Sequence, residues 1–282
     1  MTLAAAEPIE PAQRRARKSS FYLAMRLMPA SQRQAMFEIY SFCRAVDDIA
    51  DEGGSPPEVA LARLERWRAD LAALYAGRAP ERLADLAAAV ARFKMDPSDF
   101  LAVIDGMEMD VRRTIGVGDT DWATLDLYCD RVASAVGRLS APVFGMAHDE
   151  GVALAHHLGR ALQLTNILRD LDEDADIDRL YLPGEALRAA GVPAGTARAV
   201  VDDPRVVAAC AQVAERVRGH FAEAQTILDR TPARVARTPR IMGEAYGYIF
   251  ERLIARGFAP PRAPLRLGKL RLISIVVRCF LR

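Results

Sequence analysis

The sequence predicts an all-α protein. Ala, Leu and Arg dominate its 282 residues, alternating β-branched runs bounded by turn signals are hard to find, and no alternating β-α order appears. Its most organised stretch is helical in period: Asn166, Asp170 and Asp174 recur every four residues, which stacks them on one helix face at roughly 6 Å per step. Two carboxylates at that spacing repel by about 3 kcal/mol at an effective dielectric of 20, so a cation is expected between them.

The chain opens with MTLAAAEPIEP, which lacks the charged start and long apolar core of a secretory leader and reads as a flexible tail over 1–13. A basic cluster follows, with Arg14, Arg15, Arg17 and Lys18 running into Ser19, Ser20, Phe21 and Tyr22. The next helix starts near Ser31, after Pro29, and carries Met36, Phe37, Ile39, Tyr40 and Cys43 into the acidic run Asp47 to Glu52. Gly53-Gly54-Ser55-Pro56-Pro57 then stops it. Carboxylates in the last turns oppose the helix dipole and cost some tenths of a kcal/mol each, so their presence points to function rather than stability.

Helices are expected at 57–76 and 80–94, separated by Gly77-Arg78-Ala79-Pro80. Another opens at Asp96-Pro97 and carries Asp105, Glu108 and Asp110, read as ordinary exposed charges with Asp110 a candidate outer-shell group. From Trp122 a long helix passes through Ala133-Ser134-Ala135-Val136-Gly137, whose small volume implies close approach of another backbone or a long ligand. The helix bearing the Asn166 stack is expected over 151–174, with Leu158, Ala161, Leu162, Thr165 and Leu168 seating it on the core. Two more follow at 203–230 and 237–257. With no internal repeat and no long flexible linker, residues 14–282 read as one domain.

Beyond Glu251 the chain has no acid but eight basic residues: Arg252, Arg256, Arg262, Arg266, Lys269, Arg271, Arg278 and Arg282. This tail suits an anionic lipid surface, although at 100° per residue its charges do not gather on one face. No run approaches the 18 apolar residues of a membrane span, so the protein is expected to be soluble or attached to a surface. The 38 basic and 37 acidic residues leave a net charge of +1, which argues against a nucleic-acid partner. Cys43, Cys129, Cys210 and Cys279 form no CxxC and are expected as reduced thiols in a cytosol, with Cys43 and Cys129 in the core.

The two acidic helix ends, Asp47/Asp48/Asp51 and Asn166/Asp170/Asp174, offer hard oxygen ligands with no histidine or cysteine nearby, which suits Mg²⁺ and substrate phosphates rather than zinc. Arg44 and Arg169 beside them supply cations for remaining phosphate charge. A phosphate held by metals rather than attacked by a nucleophile points to ionisation of a diphosphate leaving group, and to an apolar pocket that shields a carbocation. Phe21, Tyr40, Tyr128 and Phe144 are candidates to line it, although an aromatic of this kind taken singly is more often plain core.

Three segments, YSFCRAVDDIADE, YCDRVASAVGRLSAPVFG and LGRALQLTNILRDLDEDADIDRLYLP, resemble the signature segments of the squalene and phytoene synthase family, in order and at compatible spacing over about 17–270. The first two are most similar to the presqualene diphosphate synthase branch of bacterial hopanoid biosynthesis. The resemblance implies an all-α, single-domain isoprenoid-synthase bundle around a central cavity, joining two farnesyl diphosphates head to head. It implies two or three Mg²⁺ ions on Asp47, Asp51, Asn166, Asp170 and Asp174. It assigns diphosphate contacts to Arg17, Lys18, Ser19, Ser20, Tyr40, Arg44, Gln163, Asn166 and Arg169, with Arg179 and Lys269 at the margin. Loss of one diphosphate would give a farnesyl cation, the second substrate's double bond would attack it, and proton loss would close a cyclopropane, with Tyr40, Tyr128 or the departing diphosphate as acceptor.

Two positions depart from the family pattern: Lys18 stands where relatives often carry a small polar residue and Phe258 where they often carry tyrosine. Rival readings are phytoene or dehydrosqualene synthase, and NADPH-dependent squalene synthase; no NADPH is expected here. A catalytically inactive assembly factor of the same fold is the non-enzyme alternative, disfavoured because both acidic sets are intact. A bacterial cytoplasmic protein, peripheral on the inner membrane and handing its product to a downstream squalene-pathway enzyme, completes the expectation.

Overall fold

A computed structural model of the protein describes residues 22–51, 56–115 and 120–281. Among the described residues there is no strand, and the helices are α1 (Tyr22–Arg26), α2 (Ala30–Asp51), α3 (Pro57–Tyr75), α4 (Ala84–Phe93), α5 (Pro97–Val111), α6 (Trp122–Cys129), α7 (Ala135–Phe144), α8 (His148–Arg169), α9 (Leu171–Asp176), α10 (Gly184–Ala189), α11 (Ala197–Asp202), α12 (Val206–Arg230), α13 (Ala233–Arg256) and α14 (Lys269–Leu281). One π-helical turn, Asp130–Ser134, joins α6 to α7.

Local chemistry explains several of these boundaries. Asp96 caps α5 by accepting from the Ser98 amide, with Pro97 at the first helical position. Asp121 caps α6 through the Thr124 amide, and Gly145, at φ 85°, closes α7 in the left-handed conformation. Along α2, Met36, Ile39, Phe42, Val46 and Ile49 are buried at helical spacing and pack on Leu64, Phe100 and Ile104 of α3 and α5. A second apolar core gathers α6, α8 and α10 to α13 around Leu164, Leu168, Val213 and Leu253. Helix α8 lies between the two, packed on α7 on one side and α12 on the other.

The helix expected over 151–174 starts earlier, at His148, and bends at Asp170, where φ −98° and ψ 17° interrupt it before α9. Backbone bonds from Asp170 N to Asn166 O and from Asp174 N to Asp170 O, both 2.8 Å, carry the chain through the bend. Arg169 clasps the neighbouring Asp170 with Nε and Nη2 at 2.7 and 2.6 Å, a pairing a straight helix would oppose because adjacent side chains diverge by about 100°. The stretch 133–137 is explained by backbone contact: a Cβ on Gly137 would stand 2.8 Å from Ala155 Cβ, and one on Gly159 would stand 2.7 Å from three Ser134 atoms.

Helix α14 appears where the tail's scattered charges had suggested no ordered face. Its pattern is apolar rather than ionic: Ile275, Val276 and Cys279 are buried, while Leu270, Ile273, Val277, Phe280 and Leu281 share a second face and are exposed. Cys129 is buried as expected; Cys43 is only half-buried and lies on a cavity wall, and no cysteine among the described residues is in a disulfide.

Candidate active site

A cavity of about 520 Å³ runs between α2, α5, α7, α8 and α13. Its deep end is apolar, walled by Phe144, Met146, Leu154, Ala141 and Leu158, and its other end is polar, with Arg44, Asp47, Gln163 and Asn166 on the wall. The small residues Ala133, Val136 and Gly137 form part of one side, so tight helix contact and an open channel coexist on α7 and α8. Tyr40, Tyr128 and Phe144 line it; Phe21 lies outside the described residues, as do Arg17, Lys18, Ser19 and Ser20.

The C-terminal turns of α2 hold the first acidic set. Arg44 donates to Asp47 at 2.6 Å and approaches Asp48 at 3.0 Å, while Arg179 donates to Asp51 at 2.9 Å and to the Ala50 carbonyl at 2.9 Å. Arg179 thereby ties the segment after α9 to the end of α2, which brings the second acidic set to the first. The Arg179 amide also bonds Asp174 O at 2.8 Å. Between the sets sits Asp110, nearly buried, which accepts from Tyr128 and Tyr181 at 2.9 Å each.

The electrostatics of this end are those of crowded carboxylates. Burial and neighbouring Asp51 push Asp47 up to about 6. Burial and Asp170 push Asp174 up to about 7, and burial pushes Asp110 up to about 6 against the pull of Arg179 and two tyrosines. Asn166 Oδ1 is buried with no hydrogen-bond partner, and its Nδ2 reaches only Gln163 Oε1, at 3.4 Å. An orphaned carbonyl oxygen beside carboxylates that resist ionisation is a donor set short of positive charge, and its hard oxygens fit Mg²⁺.

The remaining expected residues are placed as follows. Arg169 flanks Asp170, and Gln163 faces the cavity one turn before Asn166. Lys269 opens α14, exposed, and is not among the residues that line the cavity. Asp105 and Glu108 are both engaged by Arg68, at 2.5 and 2.7 Å, rather than standing as separate surface charges. Tyr246 on α13 was missed; with Thr238 and Met242 it repeats every four residues along the cavity wall, a spacing that would have revealed it. Tyr181 was also missed as a partner of Asp110, although it sits in the third signature segment.

An apolar channel with Arg44, Asp47, Gln163 and Asn166 at one end, beside the crowded carboxylates of Asp51, Asp110 and Asp174, has the polarity of an enzyme site for a long hydrocarbon with a charged head. The comparisons make that class specific. Residues 14–271 match the model of the squalene/phytoene synthase family. The chain is 55% identical over 260 residues to a presqualene diphosphate synthase of Rhodopseudomonas palustris, covering 92% of each chain, and 53% identical to one of Sinorhizobium fredii at the same coverage. Its fold superposes on squalene synthase HpnC from Alicyclobacillus acidocaldarius with a TM-score of 0.78 at 26% identity, covering 90% of this chain and 95% of that one. The chain belongs to the squalene/phytoene synthase family and is an enzyme of prenyltransferase type.

Proposed function

We propose that this chain joins two farnesyl diphosphates head to head, releases one diphosphate and one proton, and stops at presqualene diphosphate without NADPH. The observation that carries the reading is the polarity of the cavity: an apolar channel whose mouth holds Arg44, Asp47, Gln163 and Asn166. The names of relatives 48–55% identical to the chain support the product. Residues 14–282 act as one catalytic domain in this reading.

Asp47 and Asp51, with Asn166, Asp170 and Asp174, would hold two or three Mg²⁺ ions. Ions held there would supply positive charge to the leaving diphosphate. The chain's own residues do the rest. Arg44 and Arg169, now on carboxylates, exchange those partners for phosphate oxygens, with Tyr40 and Gln163 completing the cradle. Arg17, Lys18, Ser19 and Ser20 are assigned to the same cradle, and Arg179 holds Asp51 in place. Val132, Val136, Leu158 and Phe144 exclude water from the cation.

Tyr128 is a poor proton acceptor: its hydroxyl already donates to Asp110, and burial beside that carboxyl raises its pKa well above the ordinary value. The proton then goes to the departing diphosphate, with Tyr40 and Tyr246 the other phenols on the cavity wall.

No helix among the described residues is long and apolar enough to cross a membrane. The exposed apolar face of α14, flanked by Arg266, Lys269 and Arg271, suits a cytoplasmic protein resting on an anionic inner-membrane surface, where an amphiphilic product passes to a downstream squalene-pathway enzyme. Sedimentation with anionic vesicles, abolished in an Ile273→Asp/Val277→Asp variant, tests that contact; unchanged sedimentation removes it. For the reaction itself, Asp51→Ala and Asp170→Ala, checked for folding by circular dichroism, should each lose diphosphate release from farnesyl diphosphate. A folded variant with full activity overturns the ligand assignment.

A further inference from the structure

The chain has four histidines, and three of them meet at one place away from the cavity. His156 and His157 stand on α8 and His220 on α12, with one ligand atom from each lying within 4.8 Å of the others. At 100° per residue His157 lies on the side of α8 away from Ala155, Leu158, Gly159 and Leu162, which face the cavity, and His156 lies on its flank. His157 and His220 are half-buried.

The closest pair is unusual in its orientation. Nδ1 of His157 and Nδ1 of His220 are 3.2 Å apart. Two neutral imidazoles in that arrangement share one proton between two lone pairs, and when both carry hydrogen on Nε2 the lone pairs oppose each other. A tetrahedral metal with nitrogen ligands at about 2.05 Å spans a ligand–ligand edge of about 3.3 Å, close to this separation. The third imidazole packs edge-on to His157, with ring centroids 4.7 Å apart, and lies toward the surface, where its side chain can rotate onto a shared ion.

The surroundings favour the neutral, ligating form of His156 and His220. Burial, His157 and Arg160 hold His220 down to about 4, and burial with Arg160 lowers His156. The charge of Arg160 is offset by a two-pronged contact to Asp126, at 2.7 and 2.9 Å, and a third to Asp130 at 3.1 Å. A dication therefore meets two nearby carboxylates as well as one arginine, and none of these groups belongs to the diphosphate mouth.

We propose that His156, His157 and His220 form a binding site for a borderline divalent transition metal, Zn²⁺ in the first instance, that cross-links α8 to α12 independently of the Mg²⁺-type oxygen site. Imidazole nitrogens select such ions over Mg²⁺, and three ligands leave a fourth position for water. Because α8 also carries Asn166, the cross-link braces the helix that ends in the second acidic set.

The test titrates chelator-treated, full-length protein with Zn²⁺ in excess Mg²⁺ by calorimetry, and repeats it with Co²⁺ while recording visible absorption. The expected result is one equivalent bound per chain, tetrahedral Co²⁺ bands, and a Zn²⁺-dependent rise in Tm. His157→Gln and His220→Gln should each weaken binding by more than about tenfold and lose the Tm rise. His156→Gln, near the surface, serves as the variant that folds in any case and should weaken binding while Mg²⁺-dependent turnover persists. Absence of saturable binding overturns the proposal. So does binding that survives in the His157→Gln/His220→Gln variant, or that disappears instead in Asp170→Ala.

Discussion

The wall between cavity and core depends on helices that touch backbone to backbone, and Gly159→Ala tests that contact. A Cβ at position 159 would stand 2.7 Å from Ser134 Cα, N and Oγ, whereas apolar atoms rest at about 3.5–4 Å. Since backbone atoms cannot rotate away, α8 and the π-helical turn must separate by about 1 Å, and overpacking of that kind costs about 1–3 kcal/mol. The control is Gly219→Ala on α12, where nothing lies within 4 Å of the added methyl. There alanine should stabilise the helix by about 1 kcal/mol. The two variants should thus differ by about 2–4 kcal/mol, or roughly 5–15 °C in Tm for a chain of this size. Urea and thermal unfolding followed by circular dichroism measure the difference. Equal stability of the two variants would refute the close approach of α8 to residue 134 and the cavity wall built on it.

Other consequences follow from single groups. Tyr128→Phe removes one of the two phenols that donate to Asp110, which should cost about 1.5–3 kcal/mol of stability yet keep turnover within about tenfold. A loss of about a thousandfold in a folded Tyr128→Phe variant would restore the phenol as proton acceptor. Glu38 is raised to about 7 by burial and by Asp85, so its folded pKa exceeds its unfolded one. The folded state then binds the extra proton between about pH 4.5 and 7, and stability falls as pH rises through that window. Glu38→Gln should therefore gain on the order of 1–3 kcal/mol over the parent at pH 8 and little at pH 4 in denaturant titrations, and a pH-independent difference would contradict the assignment.

What the sequence disclosed and what it hid divide along the range of the interactions. Asn166, Asp170 and Asp174 were legible because helical period is local, and Asp47 to Asp51 because carboxylates at a helix end oppose the dipole. The bend at Asp170 was not legible: it accompanies a clasp between adjacent side chains, and four-residue spacing reads the same through it. Nor was the role of Arg138, which joins Asp99 and Asp130 across α5, the π turn and α7. Long-range ion pairs of this kind leave no periodic trace. Helix α14 went unread for a different reason, since its order lies in Leu270, Ile273 and Val277 rather than in its arginines. His220 lies 63 residues beyond His157, so only the packing of α12 on α8 brings them together.

In the proposed reaction, two oxygen-rich helix ends at the mouth of an apolar channel promote ionisation of one farnesyl diphosphate, whose cation a second farnesyl diphosphate captures. Mass spectrometry of the products from purified protein, farnesyl diphosphate and Mg²⁺ without NADPH tests it most directly. The expected result is presqualene diphosphate with one free diphosphate per pair of substrates consumed, lost when Mg²⁺ is chelated. Dehydrosqualene or phytoene as the product, or no product until NADPH is added, would contradict it.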